Sequence, residues 1–163
     1  MLGLFGILLS SACRKDDREN GYLRVQMKDA PALYQQVNVD VQQVRVHLYN
    51  GNWIDLPTTA GVYDLLTLQN GVNVVLVNPA QLPVGHIDQM RLVLGSNNTI
   101  MVDSVIYPLT IPSGSESGVK LNGDIIIPAN TTVTVMLDFV ANESILQEGN
   151  GSWKMKPVIN VVP

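Results

Sequence analysis

Residues 82–109 read LPVGHIDQMRLVLGSNNTIMVDSVIYPL. Met90, Leu92 and Leu94 recur at a period of two, the pattern of a strand with one buried face. Gly95-Ser96-Asn97-Asn98 follows, a run of residue types that tolerate tight turns and positive φ. Ile100, Val102, Val105 and Tyr107 then carry an apolar return. The spacing predicts a hairpin, and its apolar content places that hairpin at the centre of a β-sheet.

The same period-two reading extends upstream. Leu23, Val25 and Met27 alternate with Arg24 and Gln26 in a first strand that Asp29-Ala30-Pro31 ends, with Asp29 a candidate cap for a short turn through Tyr34. In the longest strand candidate, Gln36 to Tyr49, Val37, Val39 and Val41 are odd-numbered, whereas Val44, Val46 and Leu48 are even-numbered. One extra residue near Gln42-Gln43, a β-bulge, returns both sets to one face. Asn50-Gly51 is a strong hairpin signal, with Trp53, Ile54 and Leu56 returning beyond it. Gly61 to Leu66 is a strand or the start of a turn, and Asn70-Gly71 is a second hairpin turn. Val72 to Val77 is an apolar strand that Asn78-Pro79 breaks.

Downstream of residue 109, Ile111 to Gly118 is a Ser/Gly-rich loop. Val119 with Leu121, Ile125 to Ile127, and Val133 to Phe139 read as strands. Ala141 to Leu146 suits one helical turn, Gly149-Asn150-Gly151 a turn, and Val158 to Val162 a last strand. About eight to ten short strands with little helix predict an all-β fold. The expected form is an antiparallel β-sandwich of the immunoglobulin-like or transthyretin-like kind.

The 163 residues fit one domain, and 46% hydrophobic with 15% charged residues excludes a disordered chain. A formal net charge of −4 and the lack of a basic patch exclude nucleic acid as the expected partner.

Cys13 is the single cysteine, so it has no partner for an intramolecular disulfide. It follows an apolar run, Leu2 to Leu9, that is too short to span a bilayer, and then the small residues Ser10-Ser11-Ala12. This resembles the end of a bacterial lipoprotein signal, with Ser10 standing where that motif usually has leucine. The resemblance implies cleavage before a lipidated Cys13. Lys15-Asp16-Asp17 resembles the surface-export signal of Bacteroidetes lipoproteins. The expected organisation is a signal peptide over 1–12, the lipidated cysteine and a flexible tether over 13–21, and a folded domain over 22–163.

Several segments together resemble a family of bacterial lipoprotein domains of unknown function, DUF4382: MKDAPALYQQVNVDVQQVRVH from Met27, GVYDLL from Gly61, LPVGHIDQMRLVLGSNN from Leu82, YPLTIPSGSESGVKL from Tyr107, and KPVINVV from Lys156. The resemblance implies an extracytoplasmic β-sandwich and implies no reaction.

Catalytic chemistry has little to stand on. His47 and His86 sit outside any Ser-His-Asp or His-x-x-x-His pattern and read as surface histidines. The acids are scattered, no calcium-loop run or phosphate cradle occurs, and no metal or cofactor is expected. The expected protein is non-enzymatic and held by its lipid at the outer membrane, at the cell surface or facing the periplasm. It presents a binding or structural surface to a glycan or protein. As a carbohydrate-binding module it would stack sugar rings on Trp53 and Trp153, with Asn97, Asn98, Ser113, Ser115 and Ser117 as polar contacts. As a structural subunit of a surface assembly it would offer an unpaired edge strand. Asp103-Ser104-Val105 also resembles the O-glycosylation motif used by Bacteroidetes.

Overall fold

The computed structural model describes residues 19–49, 51–112 and 118–163. Cys13, Lys15, Asp16, Asp17, Ser113, Ser115 and Ser117 lie outside these residues. Two sheets pack on each other as a β-sandwich that is all but free of helix.

The smaller sheet has four strands: β1 (Asn20–Asp29), β5 (Val74–Pro83), β11 (Thr132–Phe139) and β14 (Ile159–Val162), in the order β14-β11-β1-β5. The larger sheet is organised on β2 (Gln36–Leu48). β3 (Trp53–Asp55) and β4 (Gly61–Asp64) pair with one edge of β2. β6 (Gly85–Leu94) and β7 (Thr99–Val102) pair with the other. β9 (Val119–Leu121) and β10 (Ile125–Ile127) lie on the far edge of β6. β8 (Val105–Thr110) continues from β7 to β13 (Trp153–Met155) and β12 (Ile145–Gln147). A 3-10 turn (Leu65–Leu68) and α1 (Ala141–Ser144) are the only helical pieces among the described residues.

The sheets are mixed, not purely antiparallel as expected. β1 runs parallel to β11 over eight paired residues, and β8 runs parallel to β13. Local spacing reports a strand's buried face and not its neighbour's direction, so a parallel pair formed across more than 100 residues of chain leaves no local mark.

The period-two reading holds inside the strands. Val37, Val39, Val41, Val44 and Val46 are all fully buried, and the register of β2 against β6 shifts between Val41 and Gln43, so the bulge is where the phase slip puts it. Ile87, Met90, Leu92 and Leu94 of β6 join them. Leu23, Val25 and Met27 of β1, and Val135, Leu137 and Phe139 of β11, close the core from the smaller sheet. Each such side chain contributes about 1.5–3 kcal/mol by leaving water, before the entropy of ordering it is subtracted.

Four local expectations change. The first strand begins at Asn20, ahead of Tyr22: Asn20 and Gly21 pair with Pro83 and Leu82. Asn78-Pro79 does not break β5. The strand runs through it with a bulge, which edge position permits because proline's missing N–H falls where no ladder bond is needed. Asn70-Gly71 makes a tight turn with both φ positive (55° and 88°), but it joins the 3-10 turn to β5 and closes no hairpin. Asp29 does not cap the chain that follows it. Its Oδ1 accepts the Ala141 N–H at the start of α1 (3.0 Å), and its Oδ2 accepts from Gln69 (3.2 Å). Burial pushes its carboxyl above the usual range, against the pull of these bonds.

The largest correction concerns Gly95–Asn98, which is not a hairpin turn. β6 and β7 do not pair with each other. Val41 pairs with Gly61 on one side and Leu94 on the other, and Asn38 pairs with Asp64 on one side and Thr99 on the other. β6 and β7 are therefore successive stretches along one edge of β2, running the same way. Between those pairs four residues, 95–98, oppose two, Val39 and Asp40. The protrusion is stitched down: the Asp40 carbonyl accepts Gly95 N–H (2.7 Å), the Asp40 amide donates to Asn98 Oδ1 (2.8 Å), and Asp40 Oδ2 accepts Asn97 N–H (3.0 Å). Asn98 Nδ2 donates back to the Gly95 carbonyl (2.7 Å). The chain reverses at Asp103-Ser104, where φ values of 49° and 63° make the two-residue turn between β7 and β8.

Candidate functional site

The outward face of the larger sheet collects residues whose strands are set by the buried face. On β2, the burial of Val44 and Val46 turns Arg45 and His47 outward; on β6, the burial of Met90 and Leu92 does the same for Gln89 and Arg91. Register then builds rows across the strands. Asp55, Arg45, Arg91 and Lys120 form one row over β3, β2, β6 and β9; Trp53, His47 and Gln89 form the next.

The rows touch. The Trp53 ring lies 4.9 Å from the Arg91 guanidinium carbon and 5.7 Å from that of Arg45, within cation–π range. The His47 ring stands 5.2 Å from Trp53. His47 Nδ1 is 2.7 Å from an oxygen of Asp88, the extra residue where the β2–β6 register shifts again. Arg45 is also ion-paired with Asp55. His47, Trp53, Asp88, Gln89 and Arg91 line a shallow concavity. Directly opposed like charges destabilise a sheet, by up to about 1 kcal/mol per pair, and Asp55 offsets this at the Arg45 end of the row.

His86 is the second histidine to gain an acid partner. It contacts Asp124 and stacks on Tyr49 with ring centroids 5.8 Å apart. Both histidines thus belong to His–Asp pairs, which their spacing in sequence conceals: His47 and Asp88 are 41 residues apart.

The two tryptophans do not come together. Trp53 shares the outer face with His47. Trp153 pairs with Leu109, which is buried, and packs edge-on to Tyr34 (6.4 Å) and beside Tyr107 (6.2 Å) on the core side. A single sugar-stacking line through both is therefore not formed. Asn98 is buried, its side chain the stitch of the β6–β7 protrusion, while the side chain of Asn97 is exposed beside it. The sequence pointed to Trp53 by residue type. It gave no sign of Arg45, Arg91 and Lys120, which only strand register brings into a row.

Residues 20–157 match the family described as Domain of unknown function (DUF4382). The chain belongs to the DUF4382 family. That match begins where β1 begins and covers every strand except β14. No curated protein and no solved structure matches the chain.

Among the described residues, no group of three or more His, Cys, Asp and Glu side chains is placed to hold a metal ion, and no helix is long and apolar enough to cross a membrane.

Proposed function

We propose that this DUF4382 protein is a non-enzymatic, lipid-anchored extracytoplasmic binding module. Cys13 carries the lipid, Lys15-Asp16-Asp17 directs display at the cell surface of a Bacteroidetes-type outer membrane, and the face around Trp53 receives an anionic ligand, best an acidic glycan. The observation that carries the ligand reading is the pair of arginines, Arg45 and Arg91, against the indole of Trp53. Lys120 on β9 extends their row away from Trp53, in a chain of formal net charge −4. An aromatic face stacks on the apolar side of a sugar ring, and flanking guanidinium groups pair with carboxylate or sulfate in a planar, bidentate way.

Isothermal titration with uronate- or sulfate-bearing oligosaccharides, against neutral ones of the same length, tests this. Acidic oligosaccharides should bind more tightly, with affinity falling in salt. Trp53→Ala should lower it at least tenfold and Trp153→Phe should not. Equal binding of neutral and acidic sugars, or indifference to Trp53→Ala, would remove the reading.

The anchor has its own test. Cys13→Ser should move the protein from the membrane to the soluble fraction, and protease shaving of whole cells separates surface display from a periplasm-facing domain. A strand-donating structural subunit has less support. β3, β4, β12 and β14 are three or four residues long, and β5 carries a proline bulge, so each edge gives an incoming strand little to pair with.

A further inference from the structure

The chain enters the fold at a rim of exposed apolar side chains. The Glu19 carbonyl accepts the Val84 N–H (3.1 Å), and the Asn20 carbonyl accepts the Asn130 N–H (2.8 Å). A Cβ on Gly21 would fall 2.2 Å from the Pro128 carbonyl oxygen, so the entering strand lies flat against the Ile127-Pro128 corner. Around this point, Val84 is 43% exposed, Tyr49 62% and Ile126 71%. Ile126 sits opposite His86 in the β6–β10 ladder, Tyr49 stacks on His86, and Val84, His86, Ile126 and Pro128 line one open groove. His86 contacts Asp124 at its edge.

The geometry points to this rim as a second membrane contact: the groove of Val84, Ile126 and Pro128, with Tyr49 beside it, docks on the headgroup–acyl boundary of the bilayer that holds Cys13. The inference rests on the lipid-anchor reading. Five residues, 14–18, separate Cys13 from Glu19. Fully extended, that connection spans at most about 20 Å, so the Val84 rim cannot stand far from the surface. Membrane proteins place tyrosine and other amphipathic rings at this depth, apolar body inward and polar tip in the headgroups, which suits the Tyr49–His86 stack. Three apolar side chains alone hold a bilayer weakly. The tether supplies a high effective concentration and makes such a contact persist. Docking there fixes the domain's tilt and leaves the β6–β7–β8 end, with its Asp103-Ser104 turn, pointing away.

The test uses full-length acylated protein in phosphatidylethanolamine–phosphatidylglycerol vesicles doped with nitroxide-labelled lipid. Acylation consumes the native thiol, so Ile126→Cys provides one site for an environment-sensitive fluorophore. Ile106→Cys, 60% exposed in the native protein and next to the far turn, provides the control. The expected result is a blue shift and at least twofold quenching by the labelled lipid at position 126 and neither at 106. Adding Val84→Asp should abolish the quenching at 126 while the protein still sediments with vesicles. Sedimentation with equal, weak quenching at both positions would overturn the docking and leave the anchor standing. Failure to sediment would overturn both. A blue shift at 126 that grows with protein density and ignores the labelled lipid would mean that a second copy covers the groove, which also overturns the bilayer contact.

Discussion

Gly95–Asn98 and Asp103-Ser104 lie within ten residues of each other and exchange the roles their compositions suggest. The first has the residues of a reverse turn and does not reverse the chain. The second, with no glycine, reverses it in two residues at φ values of 49° and 63°. What separates them is the partner. The long strand β2 offers more edge than β6 alone covers, so the chain after Leu94 continues along that edge, and the side chains of Asp40 and Asn98 occupy the ladder positions that four crowded residues cannot pair by backbone. After Val102 the other edge of β7 is open, and β8 folds back onto it. A polar Gly/Asn run signals a departure from regular pairing. Whether that departure is a turn or a bulge depends on the edge beyond it.

The sharpest way to break this comparison is to replace residues 95–98 by Asn-Gly, which favours a two-residue hairpin. If β2 dictates the path, the replacement cannot create a β6–β7 hairpin. It removes both partners of the Asp40 backbone, and circular dichroism should report loss of cooperative folding. A stable, cooperatively melting variant would mean that the local sequence does command the reversal. Asn98→Ala comes next. Asp40 and Asn98 are 3% and 2% exposed, so truncation strands the buried Asp40 amide and the Gly95 carbonyl together. Urea denaturation should show a loss of about 2–6 kcal/mol, from two unmade bonds at roughly 1–3 kcal/mol each. A loss under about 1 kcal/mol would mean that water replaces the stitch.

Asp29 sharpens the comparison from the other sheet, because it too offers a side-chain oxygen to a backbone N–H left without a strand partner, that of Ala141. Where Asn98 is neutral, Asp29 is ionisable, and burial raises its carboxyl above the unfolded value. The folded state therefore holds that proton more readily than the unfolded chain. This contribution to stability is fully present below the ordinary carboxylate range and is lost as pH rises through the raised value. Asp29→Asn should flatten the decline across that window in a series of urea melts. An unchanged slope would place the pH dependence in other groups. The smallest effect belongs to the true turn. Ser104→Gly relieves a left-handed φ and makes Asp-Gly, and thermal melts should show a gain of about 1 kcal/mol or less, the relief of roughly 1–2 kcal/mol reduced by the entropy glycine adds to the unfolded chain. A loss would show that the Ser104 N–H bond to Gln35 Oε1 (2.7 Å), or the lower entropy of serine in the unfolded chain, matters more.

The same division runs through the candidate site. Val44, Val46, Met90 and Leu92 announce their burial by alternation, and that places Arg45, His47, Gln89 and Arg91 on the opposite face. Alternation along each strand says nothing about which strands are neighbours. The meeting of Trp53 with Arg91, of His47 with Asp88 and of His86 with Asp124 comes from registers set by two bulges, at Gln42 and Asp88. The phase slip at Gln42-Gln43 was readable because apolar residues flank it on both sides. Asp88 sits between Ile87 and Gln89, and the single apolar Ile87 before it, preceded by Gly85 and His86, is too little to show a phase. Trp53 and Trp153 show the limit of residue type alone: one faces out beside arginines, and the other packs inward against tyrosines.

By itself, the sequence determined the all-β class, the buried face of most strands, the bulge in β2 and membership of a family, because each is written in short-range periodicity or in residues met in order. Tertiary structure alone decided the parallel pairing of β1 with β11, the continuation of β6 into β7 along one edge, and the meeting of Arg45 and Arg91 at Trp53. The physical reason is that backbone hydrogen bonds between strands are indifferent to side-chain identity. Neighbours and direction are settled by which edges remain unpaired once the whole core has closed.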